Sequence, residues 1–137
     1  MVLLIRHASA GDRYEWEGDD RLRPLDERGR RQANQLVELL EQYEITRLLS
    51  SPFLRCIQTV EPLAQARGFD IEIRDELSEE RQQVDGPTLV TSLHDRNAVL
   101  SCHGGLSEAI CGESQKKAEV LVLDGTAVVT RVRGKGR

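Results

Sequence analysis

Val2-Leu3-Leu4-Ile5-Arg6-His7-Ala8-Ser9-Ala10-Gly11 lies at the start of the chain. Val2 to Ile5 is unbroken apolar sequence. Arg6-His7 closes it, and small residues follow. An apolar run this short, stopped by small residues, predicts a strand buried on both faces, as in a parallel sheet. The pattern recurs twice. Ile45 to Leu49 runs into Ser50-Ser51-Pro52, and Ala98 to Leu100 runs into Ser101-Cys102-His103-Gly104-Gly105.

Helical periodicity fills the gaps. Ala33, Leu36, Val37, Leu39, Leu40 and Tyr43 recur at helical spacing between about 27 and 42, after Pro24 and Gly29 mark the entry. Ser51 suits an N-cap and Pro52 the first helical position, so a helix is predicted from Phe53 to Arg67, stopped at Gly68. Pro62 inside it predicts a kink or break near Glu61. Gly86-Pro87 predicts the opening of a third helix, reaching about Asp95, and Leu106 to Cys111 a short fourth. Gly11 to Arg23 and the acidic Asp75 to Asp85 read as loops, and Asp70 to Ile73 as a strand. Asp124-Gly125 between Glu119–Leu123 and Ala127–Val132 is a strong hairpin signal. Strands alternating with helices predict an α/β domain: a three-layer α/β/α sandwich, its sheet mostly parallel with an antiparallel edge hairpin.

The 137 residues fit one domain spanning 1–137, and 39% hydrophobic with 31% charged residues fits a folded globule. No apolar run approaches the roughly 20 residues of a membrane span, and no basic segment precedes Val2 as in a signal peptide. A cytoplasmic protein with no membrane partner is expected. The net charge of −4 argues against nucleic acid. Cys56, Cys102 and Cys111 form no C-x-x-C pair and are expected as reduced thiols. The basic, Gly-rich tail Arg131–Arg137 is expected to fray.

If the three strands are parallel, Arg6-His7, Ser51-Pro52 with Arg55, and His103-Gly104-Gly105 gather at one end of the sheet, where open α/β sheets bind ligands. Arginines offer forked donors matched to phosphate, a helix N-terminus at Ser51-Pro52 would add free N–H groups, and the glycines would let backbone approach a ligand. A neutral imidazole there can attack phosphorus, and a second, if charged, would stabilise the transferring group. The two arginines would repel a cation, so no metal site and no cofactor is expected.

These residues resemble the signatures of the histidine phosphatase superfamily, also called phosphoglycerate mutase-like. Arg6-His7-Ala8 is similar to its Arg-His-Gly motif, and Leu25 to Ala33 to its Leu-Thr-x-x-Gly-x-x-Gln-Ala helix entry. Ser50 to Thr59 resembles Ser-Ser-Pro-x-x-Arg-Ala-x-Gln-Thr, and Ser101 to Gly105 the motif of the second histidine. The resemblance implies that His7 becomes a phosphohistidine and that Arg6, Arg55 and His103 hold phosphoryl oxygens. Arg23-Pro24-Leu25 and the short length look most like the SixA-type phosphohistidine phosphatases, which adds Arg23 to the pocket. Leu77-Ser78-Glu79 matches the family's Leu-x-Glu proton donor, making Glu79 the candidate and Glu80 the next. Ala8 in place of Gly implies a tighter pocket floor. Cys102 and Cys56 in place of Ser and Ala read as small buried groups, or as oxidisable thiols if the arginines lower their pKa values.

The expected activity is metal-independent hydrolysis through phospho-His7. The expected substrate is a phosphohistidine protein or a small phosphate ester. A nucleotide-directed hydrolase of the kind paired with Nudix domains is an alternative, as is a non-catalytic phosphate- or phosphoprotein-binding module.

Overall fold

A computed structural model describes residues 1–134. Six strands form one sheet: β1 (Val2–Arg6), β2 (Arg47–Ser50), β3 (Ile71–Ile73), β4 (Ala98–Cys102), β5 (Val120–Asp124) and β6 (Ala127–Val132). Their order is β3-β2-β4-β1-β5-β6. The pairs from β3 through β2 and β4 to β1 are parallel, whereas β5 runs antiparallel to both β1 and β6. The expected architecture therefore holds.

Four helices cover the sheet: α1 (Glu27–Leu39), α2 (Leu54–Arg67), α3 (Gln82–Ser92) and α4 (Gly105–Cys111). Strand alternation sorts the core into two layers. Leu3, Ile5, Leu48, Val99 and Val122 pack against Leu36 of α1 and Val60 and Leu63 of α2. Val2, Leu4, Leu49, Leu100 and Leu121 pack against Leu89 and Val90 of α3 and Leu106 of α4. Each fully buried aliphatic side chain contributes about 1.5–3 kcal/mol, so β1 and β4, apolar on both faces, anchor the domain.

Several element boundaries differ from expectation. α2 begins at Leu54 with Phe53 as its N-cap, so Ser51 and Pro52 lie in the loop before it. Pro62 does not break α2, which continues to Gly68, whose left-handed backbone ends it (φ 72°). α3 begins at Gln82, ahead of Gly86-Pro87, because the amides of Arg81 and Gln82 already turn back onto the Ser78 carbonyl. Gly86 has a packing role instead. A Cβ there would lie 2.5 Å from Leu106 Cδ1, so its absence lets α3 and α4 close together. In the hairpin, Asp124 pairs with Ala127, so the two-residue loop is Gly125-Thr126. Arg131 and Val132 of the tail are paired in β6 rather than frayed. Lys135, Gly136 and Arg137 lie outside the described residues. No helix among the described residues is long and apolar enough to cross a membrane.

Candidate active site

Parallel pairing aligns the ends of three strands. Arg6 sits opposite Cys102, and Ser50 opposite Ser101. One residue further on, the His7 amide donates to Cys102 O at 2.9 Å and the Ser51 amide to Ser101 O at 2.9 Å. The chain exits are thereby fixed side by side. His7 and His103 face each other edge-on, ring centroids 5.5 Å apart. They line a cavity of about 300 Å³ together with Arg6, Arg13, Glu79 and Gln82.

His7 donates from Nδ1 to its neighbour's carbonyl, Ala8 O, at 2.8 Å. Because a carbonyl only accepts, the proton sits on Nδ1 and Nε2 carries the lone pair. Burial, reinforced by the charges of Arg55, Arg6 and Lys117, lowers the pKa of His7 to about 3, against the raising effect of the Ala8 hydrogen bond. The ring is therefore neutral at ordinary pH, with Nε2 unprotonated.

His103 is neutral too. Burial, then His7, Arg55 and Arg13, push its pKa to about 2. The charged form that would stabilise a transferring group electrostatically is therefore disfavoured here. Its Nε2 meets Ser51 Oγ at 3.0 Å, and its buried Nδ1 has no hydrogen-bond partner.

Arg6 donates from NH1 to Gln115 O at 2.7 Å and its buried Nε is unpartnered. Its guanidinium lies across Gly104, where a Cβ would meet Cζ at 3.1 Å. The space at Gly104 is thus filled by Arg6. Arg55 is fully buried and does not line the cavity. Its guanidinium is held by Asp20 O (2.8 Å), Asp20 Oδ2 (3.1 Å) and Glu79 Oε1 (2.8 Å). A buried guanidinium needs such partners, and a carboxylate from each of two loops supplies them. Arg23 also lies outside the cavity. It donates to Asp20 Oδ1 at 2.9 Å and to Ala10 O, and it borders a separate hollow beside Trp16 and Pro24.

The two candidate acids separate clearly. Glu79 lines the cavity, with both oxygens bonded to Arg13 (2.9 and 2.8 Å) and Oε1 also to Arg55. Glu80 turns away to Arg21 at 2.8 Å and lines the neighbouring hollow beside Phe53.

Motif residues without an assigned role prove to hold the loop after His7. Thr59 Oγ1 accepts from Ala8 N (2.9 Å), Gln32 Oε1 from Ser9 N (2.9 Å), and Gln58 Oε1 from Leu25 N (2.8 Å). Gly29 is required because a Cβ there would fall 1.9 Å from Ser9 O. The Ala8 methyl points away from the cavity, into a small cluster with Leu25, Ala33 and Ala118, so the expected tightening of the floor does not occur. Burial raises the Cys56 thiol to about 12 and the Cys102 thiol well above its ordinary value, so both are small buried groups.

Arg13, Asp20 and Gln82 carry no signal in the sequence pattern. The first two sit in a charged loop where no spacing singles them out. Burial works to raise the Asp20 carboxyl, but the Arg23 hydrogen bond and the charges of Arg55, Arg23 and Arg13 hold it below the usual range. No group of three or more His, Cys, Asp or Glu placed to hold a metal occurs among the described residues.

The chain is similar to several known proteins. The family model of the histidine phosphatase superfamily (branch 1) matches residues 2–92. The 8-oxo-(d)GTP phosphatase of Mycolicibacterium smegmatis is 46% identical over 84 residues, which are 61% of this chain and 26% of that protein. "Probable phosphoglycerate mutase GpmB" of Salmonella choleraesuis is 33% identical over 99 residues, 64% of this chain and 44% of that protein. This chain thus covers less than half the length of either. Among solved structures, SixA from Agrobacterium tumefaciens, named provisionally as a phosphohistidine phosphatase, superposes with a TM-score of 0.79 at 26% identity, covering 95% of each chain.

Proposed function

From the premise that the chain belongs to the histidine phosphatase superfamily, we propose that it is a metal-independent phosphatase working through a phosphohistidine on His7. One observation carries this reading. The Nδ1–H of His7 is committed to Ala8 O, which leaves Nε2 unprotonated at a cavity where Arg6 Nε and His103 Nδ1 are buried without partners. Unpaired buried polar groups are costly, and an anion's oxygens would satisfy the N–H donors.

His7 Nε2 attacks phosphorus in line, forming an N–P bond as the bond to the leaving oxygen breaks. Glu79, protonated on one oxygen, gives that proton to the leaving group. Water then attacks phosphorus, Glu79 accepts its proton, the N–P bond breaks, and inorganic phosphate leaves. Arg6 and the neutral His103 hold the equatorial oxygens. Arg55 acts from one step behind, charging the site and holding Glu79, while Arg23 holds Asp20. Arg13 must release one Glu79 oxygen before that oxygen can carry a proton.

A protein-borne phosphohistidine is the substrate suggested by the likeness to SixA. A nucleotide is the second reading, favoured by the 46% identity to the mycobacterial 8-oxo-(d)GTP phosphatase. The cavity carries a nucleophile that a mere binding module would not need.

The deciding experiment is hydrolysis of p-nitrophenyl phosphate and of a phosphohistidine protein, with EDTA, between about pH 4 and 8. His7→Ala is expected to lower turnover by at least roughly a thousandfold, and acid quench of the wild type to trap label on His7. A His7→Ala variant as active as the wild type overturns the reading.

A further inference from the structure

Gln82, at the start of α3, is absent from the residues assigned above to phosphoryl transfer. It is buried, with only 3% of its surface exposed, and it lines the cavity shared by His7 and His103. Its Oε1 accepts the backbone N–H of His103 at 3.1 Å. That bond settles the orientation of the amide, because only the oxygen can accept from an N–H. Nε2 must then point the other way. A Cβ built on Gly105 would lie 3.1 Å from Nε2, which puts this nitrogen against the residue that follows the His103-Gly104 pair. The bond to His103 is the one side-chain hydrogen bond Gln82 makes among the described residues. Two N–H donors at Nε2 therefore stand in a cavity where Arg6 Nε and His103 Nδ1 are unpartnered as well.

We propose that Gln82 is a phosphoryl-binding residue of this site, donating from Nε2 to an oxygen of the group that His7 receives. The inference rests on the phosphatase reading and adds to it a neutral donor. The amide does two things at once. It grips the anion and, through Oε1, fixes the backbone of His103. An anion drawing on Nε2 polarises the amide and strengthens the bond to His103 N, so binding stiffens the histidine that shares the anion.

Gln82→Glu separates these roles. It keeps the shape and an oxygen for His103 N–H, but replaces the donor by a carboxylate oxygen. The test measures binding of inorganic phosphate and of vanadate by calorimetry on the full chain, alongside thermal melting and the kcat–KM split on p-nitrophenyl phosphate. Affinity for both anions is expected to fall roughly 10- to 100-fold, with KM rising, while melting stays close to wild type. Gln82→Met removes both roles and is expected to lower melting as well. A second measurement needs no variant to fold: in ¹⁵N-labelled wild type, the Gln82 side-chain amide protons are expected to shift downfield on saturation with phosphate, and those of the exposed Gln65 of α2, away from the cavity, to stay put. Undiminished anion binding by Gln82→Glu, or an unmoved Gln82 amide in the phosphate-saturated wild type, overturns this inference alone. A wild type that binds neither anion and hydrolyses nothing overturns the phosphatase reading, and this inference with it.

Discussion

Two consecutive segments follow His7 and are held in place by different means. The loop from Ala8 to Gly11 hangs on backbone amides: Ala8 N to Thr59, Ser9 N to Gln32, and Gly11 N to Asp26 at 2.9 Å. The segment from Asp12 to Arg23 is tied mainly by ion pairs. Arg13 reaches Glu79, Arg21 reaches Glu80, and Asp20 joins Arg55 to Arg23. The first set is short-ranged and grades outward, from the buried bond at Ala8 through the part-buried one at Ser9 to the exposed one at Gly11, and two of its three acceptors are neutral, so salt acts on it little. The second lies in part at the surface: the side chains of Arg13 and Arg21 are 47% and 44% exposed, where screening weakens their pairs, whereas buried Arg55 and Arg23 hold Asp20. His7 is joined directly to the amide-held segment, whereas Arg13 and Asp20, which reach Glu79 and Arg55, belong to the ion-paired one.

Acid should expose this difference most strongly. Both histidines have folded-state pKa values far below the ordinary 6.5, at about 3 and about 2. Between those values and 6.5, the unfolded chain takes up protons that the folded chain refuses. The stability in question is present above pH 6.5 and drains away as pH falls, at about 1.4 kcal/mol per pH unit for each histidine. Asp20 and Asp26, held below the usual range, add their loss only under about pH 4. Urea unfolding in steps from pH 7 downward should show the steep first limb, and His103→Asn should roughly halve its slope. A flat profile above pH 4 would mean that the histidines are solvated and the hydrogen-bonded platform is not dry.

Gly29→Ala comes next. The new methyl would collide with the Ser9 carbonyl, a backbone atom on the amide-held loop, so a loss of about 3 kcal/mol or more is expected in denaturant unfolding. An unchanged midpoint would show that this loop yields as easily as its charged neighbour. Arg21→Ala should matter least. Its pair with Glu80 is exposed, so less than about 1 kcal/mol is expected at low salt, and nothing measurable at high salt. A larger, salt-insensitive loss would place Arg21 with the salt-insensitive set, through its stacking over Phe53 at 4.6 Å.

Much of the fold is legible from local pattern. Val2–Ile5 is apolar on both sides because β1 is covered on both faces, and the polar residues at its end mark where that cover stops. Boundaries shift from their local signals where a residue's local habit yields to packing. Gly86-Pro87 looks like a helix start, yet Gly86 is there for Leu106, and Pro87 is tolerated inside α3 because the partner carbonyl it leaves, on exposed Gln83, can turn to water. Ser51 looks like an N-cap, yet its hydroxyl accepts from Phe53 N and meets His103 instead.

The candidate site divides in the same way. His7, Arg6 and His103 were readable because each directly ends a buried strand, and parallel pairing forces such ends together. Glu79, Arg13, Asp20 and Gln82 come from loops and a helix start far apart in sequence, in stretches crowded with similar charges. Residue type and hydrophobic pattern do not tell Glu79 from Glu80; the resemblance of Leu77-Ser78-Glu79 to the family's Leu-x-Glu ranks Glu79 first, and the fold places it at the cavity while Glu80 turns to Arg21. By itself, the sequence determined a buried parallel sheet with two histidines and an arginine at its mouth, because hydrophobic periodicity acts over a few residues. Only the tertiary structure decided which carboxylate faces His7, that Arg55 stands behind the cavity, and that both imidazoles are neutral. Burial and charge pairing are properties of distances between segments, and the chain sets those distances only when it packs.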